Sequence, residues 1–161
     1  MKEIQLTQGK VALVDDEDFD KVLMHTWCAS RNKNIFYAVT KVPHLKRKKT
    51  LKMHILIMGK QPELELDHVN HNGLDNRRCN LRHVTGSQNS QNRRHRVGTS
   101  SIYKGVSWYK QYGKWKVAIT KNKIEYHIGY YASEQEAALA YNKEAIKLFG
   151  EFAYINKLPL P

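Results

Sequence analysis

Asp67 and His68 stand side by side, Asn80 follows His68 by 12 residues, and Asn89 follows Asn80 by 9. A carboxylate, an imidazole and two amides can together hydrolyse a phosphodiester. That chemistry needs a base to deprotonate water, a divalent cation to neutralise charge on the phosphate and leaving oxygen, and a group that holds the base at the correct tilt. At the end of a strand the side chains of Asp67 and His68 point to opposite sides, so one can hold a metal while the other faces the attacking water. A histidine with an ordinary pKa of about 6.5 offers a neutral base near pH 7. Asn89 can add a second oxygen ligand, and oxygen ligands plus waters suit magnesium, with manganese as a substitute. Asn80, in a loop, can bind backbone groups, clamp the flanking strands and so fix the imidazole. Two readings stand for the last ligand: Asn89 itself, or Asn92 one turn on, with Asn89 turned to nucleic acid. His54 reads as a packed or capping histidine, and His71 and His83 as lying near nucleic acid rather than on the metal.

The elements that must position these groups follow from the local pattern. Ile4–Leu6 and Val11–Val14 read as short strands around a turn at Gln8-Gly9-Lys10, and the acidic run from Asp15 opens a helical turn. Trp27–Ala29 and Phe36–Thr40 read as further strands. Lys46–Lys49 is a basic run, and Leu51–Met58 reads as a short helix stopped by Gly59 and Pro62. Leu64–Asp67 and Leu81–Thr85 are strand candidates on either side of a loop rich in Asn and Gly. Ser87–Arg96 reads as a helix with Thr85 or Ser87 at its N-cap. After a linker at Gly98–Ser101, three strand candidates (Val106–Tyr109, Trp115–Thr120, Glu125–Tyr130) precede a helix. Ser133 and Glu136 form the capping-box pattern of that helix; Ala138, Tyr141, Ala145 and Leu148 give its apolar stripe, and Gly150 its stop.

The run from Leu66-Asp67-His68-Val69-Asn70, through Leu74-Asp75-Asn76-Arg77-Arg78-Cys79-Asn80-Leu81-Arg82-His83-Val84-Thr85, to Gln88-Asn89-Ser90-Gln91-Asn92 resembles the HNH nucleases. It is most similar to phage and intron-borne homing endonucleases with a ββα-metal finger. The resemblance covers about 30 residues. It implies Asp67 and Asn89 as metal ligands, His68 as general base and Asn80 as the structural asparagine. It also implies cleavage that leaves a 5′ phosphate and a 3′ hydroxyl.

Charge agrees with a polyanionic substrate. The 161 residues carry 27 Lys plus Arg against 15 Asp plus Glu, a net +12, which favours nucleic acid. Around a metal phosphate site, Arg77, Arg78, Arg82, Arg93 and Arg94 are candidates to track the backbone of the duplex. The apolar stretches are too short to span a bilayer, and the first residues lack the apolar core of a secretory signal. The expectation is therefore a cytoplasmic protein in a bacterial or phage-infected cell. Cys28 and Cys79 are too few for a zinc ribbon and read as free thiols.

Residues 98–161 carry aromatics interleaved with lysines, a pattern suited to docking on a DNA groove: Lys104, Trp108, Lys110, Trp115 and Lys116 are the candidates. Trp115 reads equally as core or surface. Tyr103-Lys104-Gly105-Val106, Gly113–Ile119, Ile128–Tyr131, Glu134–Asn142 and Gly150–Asn156 resemble the Apetala-two/ethylene-response-factor domain, which implies a three-stranded sheet that reads the major groove with a helix packed behind. This chain has Lys where the plant domains place Arg at Lys104 and Lys110, and lysine lacks the bidentate fork that reads guanine best.

The expected fold class is α+β: a ββα-metal nuclease centre followed by a three-stranded antiparallel sheet on one helix. The expected domains are 1–60, an α+β segment packed on the nuclease centre and touching DNA; 61–97, the nuclease motif; and 98–161, the DNA-binding module. The expected function is a magnesium-dependent endonuclease acting on double-stranded DNA as a monomer or weak homodimer, nicking or cutting both strands. The rivals are a non-catalytic DNA-binding regulator that keeps the same frame, and an RNA-binding protein.

Overall fold

The computed structural model describes residues 1–44, 47–93 and 98–159. The architecture is α+β, with four small antiparallel sheets and four α-helices among the described residues. Two compact units divide the chain, Met1–Thr85 and Gly86–Pro161.

The first unit opens with a hairpin, β1 (Lys2–Gln5) and β2 (Val11–Val14), turned by a 3-10 segment at Thr7–Gly9. Helix α1 (Asp16–Leu23) starts with three acidic residues in its first turn, the favourable sign at a helix N-terminus. A three-stranded sheet follows in the order β3 (Cys28–Asn32), β4 (Ile35–His44), β5 (Arg47–Lys52). Strand β5 lies where a basic run and a helix start are expected. Its residues are exposed apart from the half-buried Leu51, so no apolar alternation marks it. It exists because it pairs along its length with β4, from His44↔Arg47 to Val39↔Lys52. Helix α2 is correspondingly short, Met53–Met58. Lys46 of the basic run lies outside the described residues. The hairpin β6 (Glu65–His68) and β7 (Leu81–Val84) completes the unit. One apolar core holds it together: Ile4, Val14, Val22, Trp27, Met53, Ile57 and Leu81 belong to a single buried cluster. Met53 and Val14 are fully buried, and burial of such side chains is the dominant favourable contribution to folding.

The second unit begins with helix α3 (Gly86–Asn92), shorter than the expected Ser87–Arg96, whose residues 94–97 lie outside the described set. Strands β8 (Val106–Tyr109), β9 (Lys114–Lys121) and β10 (Ile124–Tyr131) form a meander. Helix α4 (Glu134–Phe149) packs on one face of it through Ala137, Ala138, Tyr141, Ala145 and Phe149, against Val106, Val117 and Ile119. Ser133 caps α4 by accepting from the Glu136 N–H at 3.3 Å. Gly105 is required where it stands: its φ is +76°, and a Cβ there would lie 2.1 Å from the Tyr141 ring. The Gly98–Ser101 stretch is not a loose linker. Ser101 is buried and donates to Glu134 at 2.7 Å, and the Ser100 hydroxyl accepts from the Trp108 N–H. Asn156 ties the C-terminal segment in by bonding both backbone groups of Lys104, and Asn142 in turn binds the backbone of Asn156.

Candidate active site

Asp67 and His68 end strand β6, at 9% and 6% exposure. The loop that joins β6 to β7 is almost wholly polar, yet it is held as firmly as a core element because its side chains replace secondary structure. The Asn70 N–H donates to Asn80 Oδ1 at 2.9 Å, and Asn80 Nδ2 donates to the Asp75 carbonyl at 2.8 Å. Asn80 thus clamps two backbone positions across the loop. Asn70 and Asn72 make local bonds of the same kind, Asn70 Oδ1 accepting from the Asn72 N–H and Asn72 Oδ1 from the Leu74 N–H. The loop is docked on β2 by backbone bonds from Leu13 to Leu74 and from Asn76 to Leu13, each 2.8 Å.

Three arginines sit on three carboxylates, and the geometries differ. Arg77 grips Asp75 through Nε and Nη2, each at 2.7 Å. Arg78 grips Asp18 at 2.7 and 2.8 Å, and its N–H donates to Asp15. Both are forked pairs of the strong kind. Arg82, directly across the hairpin from Asp67, brings Nε and Nη2 to the single oxygen Oδ2, at 3.3 and 3.2 Å. Asp67 is thus buried beside a guanidinium at the end of β6. All three arginines, expected on the DNA backbone, have a carboxylate partner within the first unit. That binding holds the Asp75 carboxyl below the usual range, the Arg77 hydrogen bond being the largest cause. A depressed folded-state pKa stabilises the protein above the unfolded value of about 3.9 and is lost as pH falls through it. Melting temperature should accordingly fall as pH drops below about 4, and Asp75→Asn should melt lower at pH 7 with a flatter acid limb. An acid limb as steep as wild type would refute this.

His68 sits in a cluster of aromatic rings drawn from three elements. His54 of α2 meets it edge to face, with centroids 4.9 Å apart and planes at 88°. Tyr37 of β4 lies 5.8 Å from each. Gly73 passes so close to Tyr37 that a Cβ would come within 2.7 Å of its ring. His68 Nε2, His54 Nδ1 and Asn76 Oδ1 are all buried without a hydrogen-bond partner. Burial pushes the His54 pKa down to about 3, so that ring is neutral at any working pH. Burial also lowers His68, opposed by the Asn76 side chain and by the charges of Asp67 and Asp75. His54 and Asn76 are members of this site that spacing alone does not mark. Asn76 shows only as one more polar residue of the loop and His54 as a lone histidine in the apolar run Met53–Met58, and only tertiary packing buries them.

Asn89 lies on α3 in the second unit, as does the buried Asn92. Among the described residues no group of three or more His, Cys, Asp or Glu side chains can hold a metal ion. The available donors are one carboxylate and amides. This set fits a hydrated hard cation such as magnesium, which keeps several waters, and not zinc.

In the second unit the face of the sheet opposite α4 carries Ser107, Tyr109, Lys114, Lys116, His127 and Tyr130, by alternation and register. Tyr109, Tyr112 and Tyr130 form a mutual ring cluster with centroids 4.9–5.4 Å apart, and His127 lies 4.6 Å from Tyr130. Of the expected DNA-binding residues, Lys116 is on this face, paired with Glu125 at 2.9 Å. Lys110 and Arg93 are exposed, and Arg94 lies outside the described residues. Trp115 packs against the core on the α4 side, with Trp108 edge-on to it at 5.1 Å and 40% exposed. Lys104 is turned away from the sheet face. Its Nζ donates to the carbonyls of Gln91 and Arg93 at the end of α3, and burial pushes its pKa down to about 8.

A protein of Acanthamoeba polyphaga mimivirus described as an uncharacterized HNH endonuclease is 41% identical over 105 residues, 65% of this chain. The chain is similar to an HNH endonuclease. It spans 54% of that relative's length. No family model and no solved structure matches the chain. Among the described residues, no helix is long and apolar enough to cross a membrane.

Proposed function

We propose that this chain is a metal-dependent endonuclease of the HNH kind, acting on duplex DNA. The observation that carries the reading is the end of β6, where a buried imidazole adjoins a buried carboxylate at the mouth of a polar loop cross-braced by Asn80. The similarity to a protein described as an HNH endonuclease supports it, as does the net charge of +12.

In this reading the β6–loop–β7–α3 run is the ββα-metal finger. Asp67 would hold a magnesium ion, manganese being a substitute, with the Asn89 amide as the second ligand that the motif spacing implies. The ion would supply charge stabilisation to the phosphate. His68 accepts a proton from the attacking water, and Asn80 keeps the loop from shifting the ring. With Nε2 sealed inside the protein, Nδ1 is the nitrogen that meets the water. Arg82 remains beside Asp67 to offset the carboxylate's charge and to face the phosphate. The outward face of β8, β9 and β10, with its tyrosines, His127, Lys114 and Lys116, positions the duplex, joined by the exposed Lys110. Residues 1–60 contribute to the same binding through their basic strands. One such centre cuts one strand at a time, so a monomer nicks and a double-strand break takes a weak dimer or a second encounter.

Supercoiled plasmid bearing varied sequence, incubated with the protein and magnesium, is expected to give open circles, and a chelator is expected to stop the reaction. No open-circle product across several plasmids and both metals overturns the reading, leaving a DNA-binding regulator. Tighter binding to single-stranded RNA than to duplex DNA would point to an RNA-binding protein.

A further inference from the structure

Strand pairing gives the basic run ahead of the nuclease motif a definite face. Across the β4–β5 ladder Lys52 stands opposite Val39, Thr50 opposite Lys41 and Lys48 opposite Pro43. Directly opposed residues share one side of a sheet, and so do alternate residues of a strand. Lys41, Lys48, Thr50 and Lys52 therefore share a face with Tyr37, two residues before Val39 on β4. Two contacts agree with this. Lys41 Nζ donates to Thr50 Oγ1 at 2.7 Å, and Lys52 Nζ lies 5.0 Å from the centre of the Tyr37 ring. The other side of β4 turns to the core through the buried Ala38 and Thr40. On β3, the exposed Ser30 and Cys28 stand opposite Tyr37 and Val39, so none of these positions is a carboxylate.

All three lysines are exposed. Among the described residues no carboxylate pairs with Lys41, Lys48 or Lys52; the ion pairs of the first unit belong to the N-terminus and to Arg77, Arg78 and Arg82. The arginines nearest the nuclease motif are thus occupied, and the lysines of the sheet hold the positive charge that can meet a polyanion. Lys48 and Lys52 are about 13 Å apart along the strand. Such a row of cations suits the repeating phosphates of a polynucleotide better than a single small anion. The row also has a direction. Lys52 ends it against Tyr37, whose ring lies 5.8 Å from that of His68. We propose that this face of β4 and β5 is a phosphate track: Lys41, Lys48 and Lys52 hold the backbone of the strand to be cut, and Tyr37 marks where that strand reaches His68. The proposal rests on the reading of His68 as the base of a nuclease. Lysines are point charges without a fixed fork, so the track holds the duplex without reading its sequence.

The test titrates duplex DNA onto the full chain at salt concentrations from about 50 to 200 mM, where phosphate contacts show as a steep loss of affinity. Lys41→Gln, Lys48→Gln and Lys52→Gln together should weaken binding roughly tenfold at the low end and flatten the salt slope by about 1 per lysine, equally for unrelated sequences. Arginine at the same three positions should bind as wild type does. Lys21→Gln, Lys143→Gln and Lys157→Gln remove the same charge from exposed positions off this face. That control should stay within about twofold of wild type, because salt screens each charge beyond about 10 Å. In nicking, the glutamine triple should raise KM about tenfold with kcat within about twofold, the mark of lost ground-state binding. Ethylated phosphates that interfere with binding should lie on the cut strand beside the mapped nick. A glutamine triple with wild-type affinity and slope overturns the proposal, as does a control triple that weakens binding equally. Interference confined to the uncut strand overturns it too. Duplex binding that depends on the three lysines in a protein that never nicks sinks the nuclease reading alone, and nicking at wild-type KM by the glutamine triple sinks the track alone.

Discussion

His68→Ala is expected to bind duplex DNA within about twofold of wild type while nicking roughly a hundred- to ten-thousandfold more slowly, the range that general-base catalysis contributes. The separation follows from where the residue sits. His68 is 6% exposed, walled by His54 and Tyr37, and offers DNA almost no surface. Its removal takes away a proton acceptor without touching the outward tyrosines and lysines of the second unit. Because burial lowers its pKa, the neutral form persists to lower pH than for an ordinary histidine. The acid limb of the wild-type rate profile should therefore lie below about pH 6.5. Plasmid nicking and duplex titration on the same preparations check both halves. Equal rates for wild type and His68→Ala would remove His68 from the mechanism, and equal loss of binding and cutting would make it merely structural.

Asn80→Ala is expected to cost the first unit roughly 1–4 kcal/mol, since it strands one buried and one part-buried backbone group, the fully buried one at about 1–3 kcal/mol. The groups are the Asn70 N–H and the Asp75 carbonyl, now bound at 2.9 and 2.8 Å. Two nearby donors, Asn70 Nδ2 and Arg77, are already committed to the Asp75 carboxylate. Against a typical total stability of about 5–15 kcal/mol this is a large fraction. Urea unfolding should show the midpoint falling with the slope unchanged. Nicking should fall as well, because the loop that follows His68 would be unbraced. A loss under about 1 kcal/mol would mean that water or backbone shifts satisfy both groups.

The sequence made local features visible and hid the tertiary ones. Strands β6 and β7 show in Leu64–Asp67 and Leu81–Thr85, and the start of α4 shows in Ser133 and Glu136, because caps, turns and short apolar runs act over a few residues. Strand β5 shows no pattern, since it is made by pairing and not by burial. Arg78 reads as a phosphate ligand when only its neighbours are seen; its partner Asp18 is 60 residues away. Trp115 and Lys116 are adjacent, yet one packs toward α4 and the other faces outward, and which is which follows from the pairing of β9 with β8 and the packing of α4, set by residues distant in the chain. Asn76 looks like one more polar residue of an asparagine-rich loop. Its complete burial comes from tertiary packing, including its backbone bond to Leu13, which no local signal records.

The amine of Lys104 has a consequence for modular engineering. By binding the Gln91 and Arg93 carbonyls it fastens the short helix bearing Asn89 to the start of the β8–β10 meander, and Asn156 anchors that same backbone from behind. The helix thus travels with the second unit. Exchanging the second unit between such proteins should succeed when the junction falls after Thr85, and a splice at Gly98 would cut the helix bearing Asn89 loose from the body that steadies it.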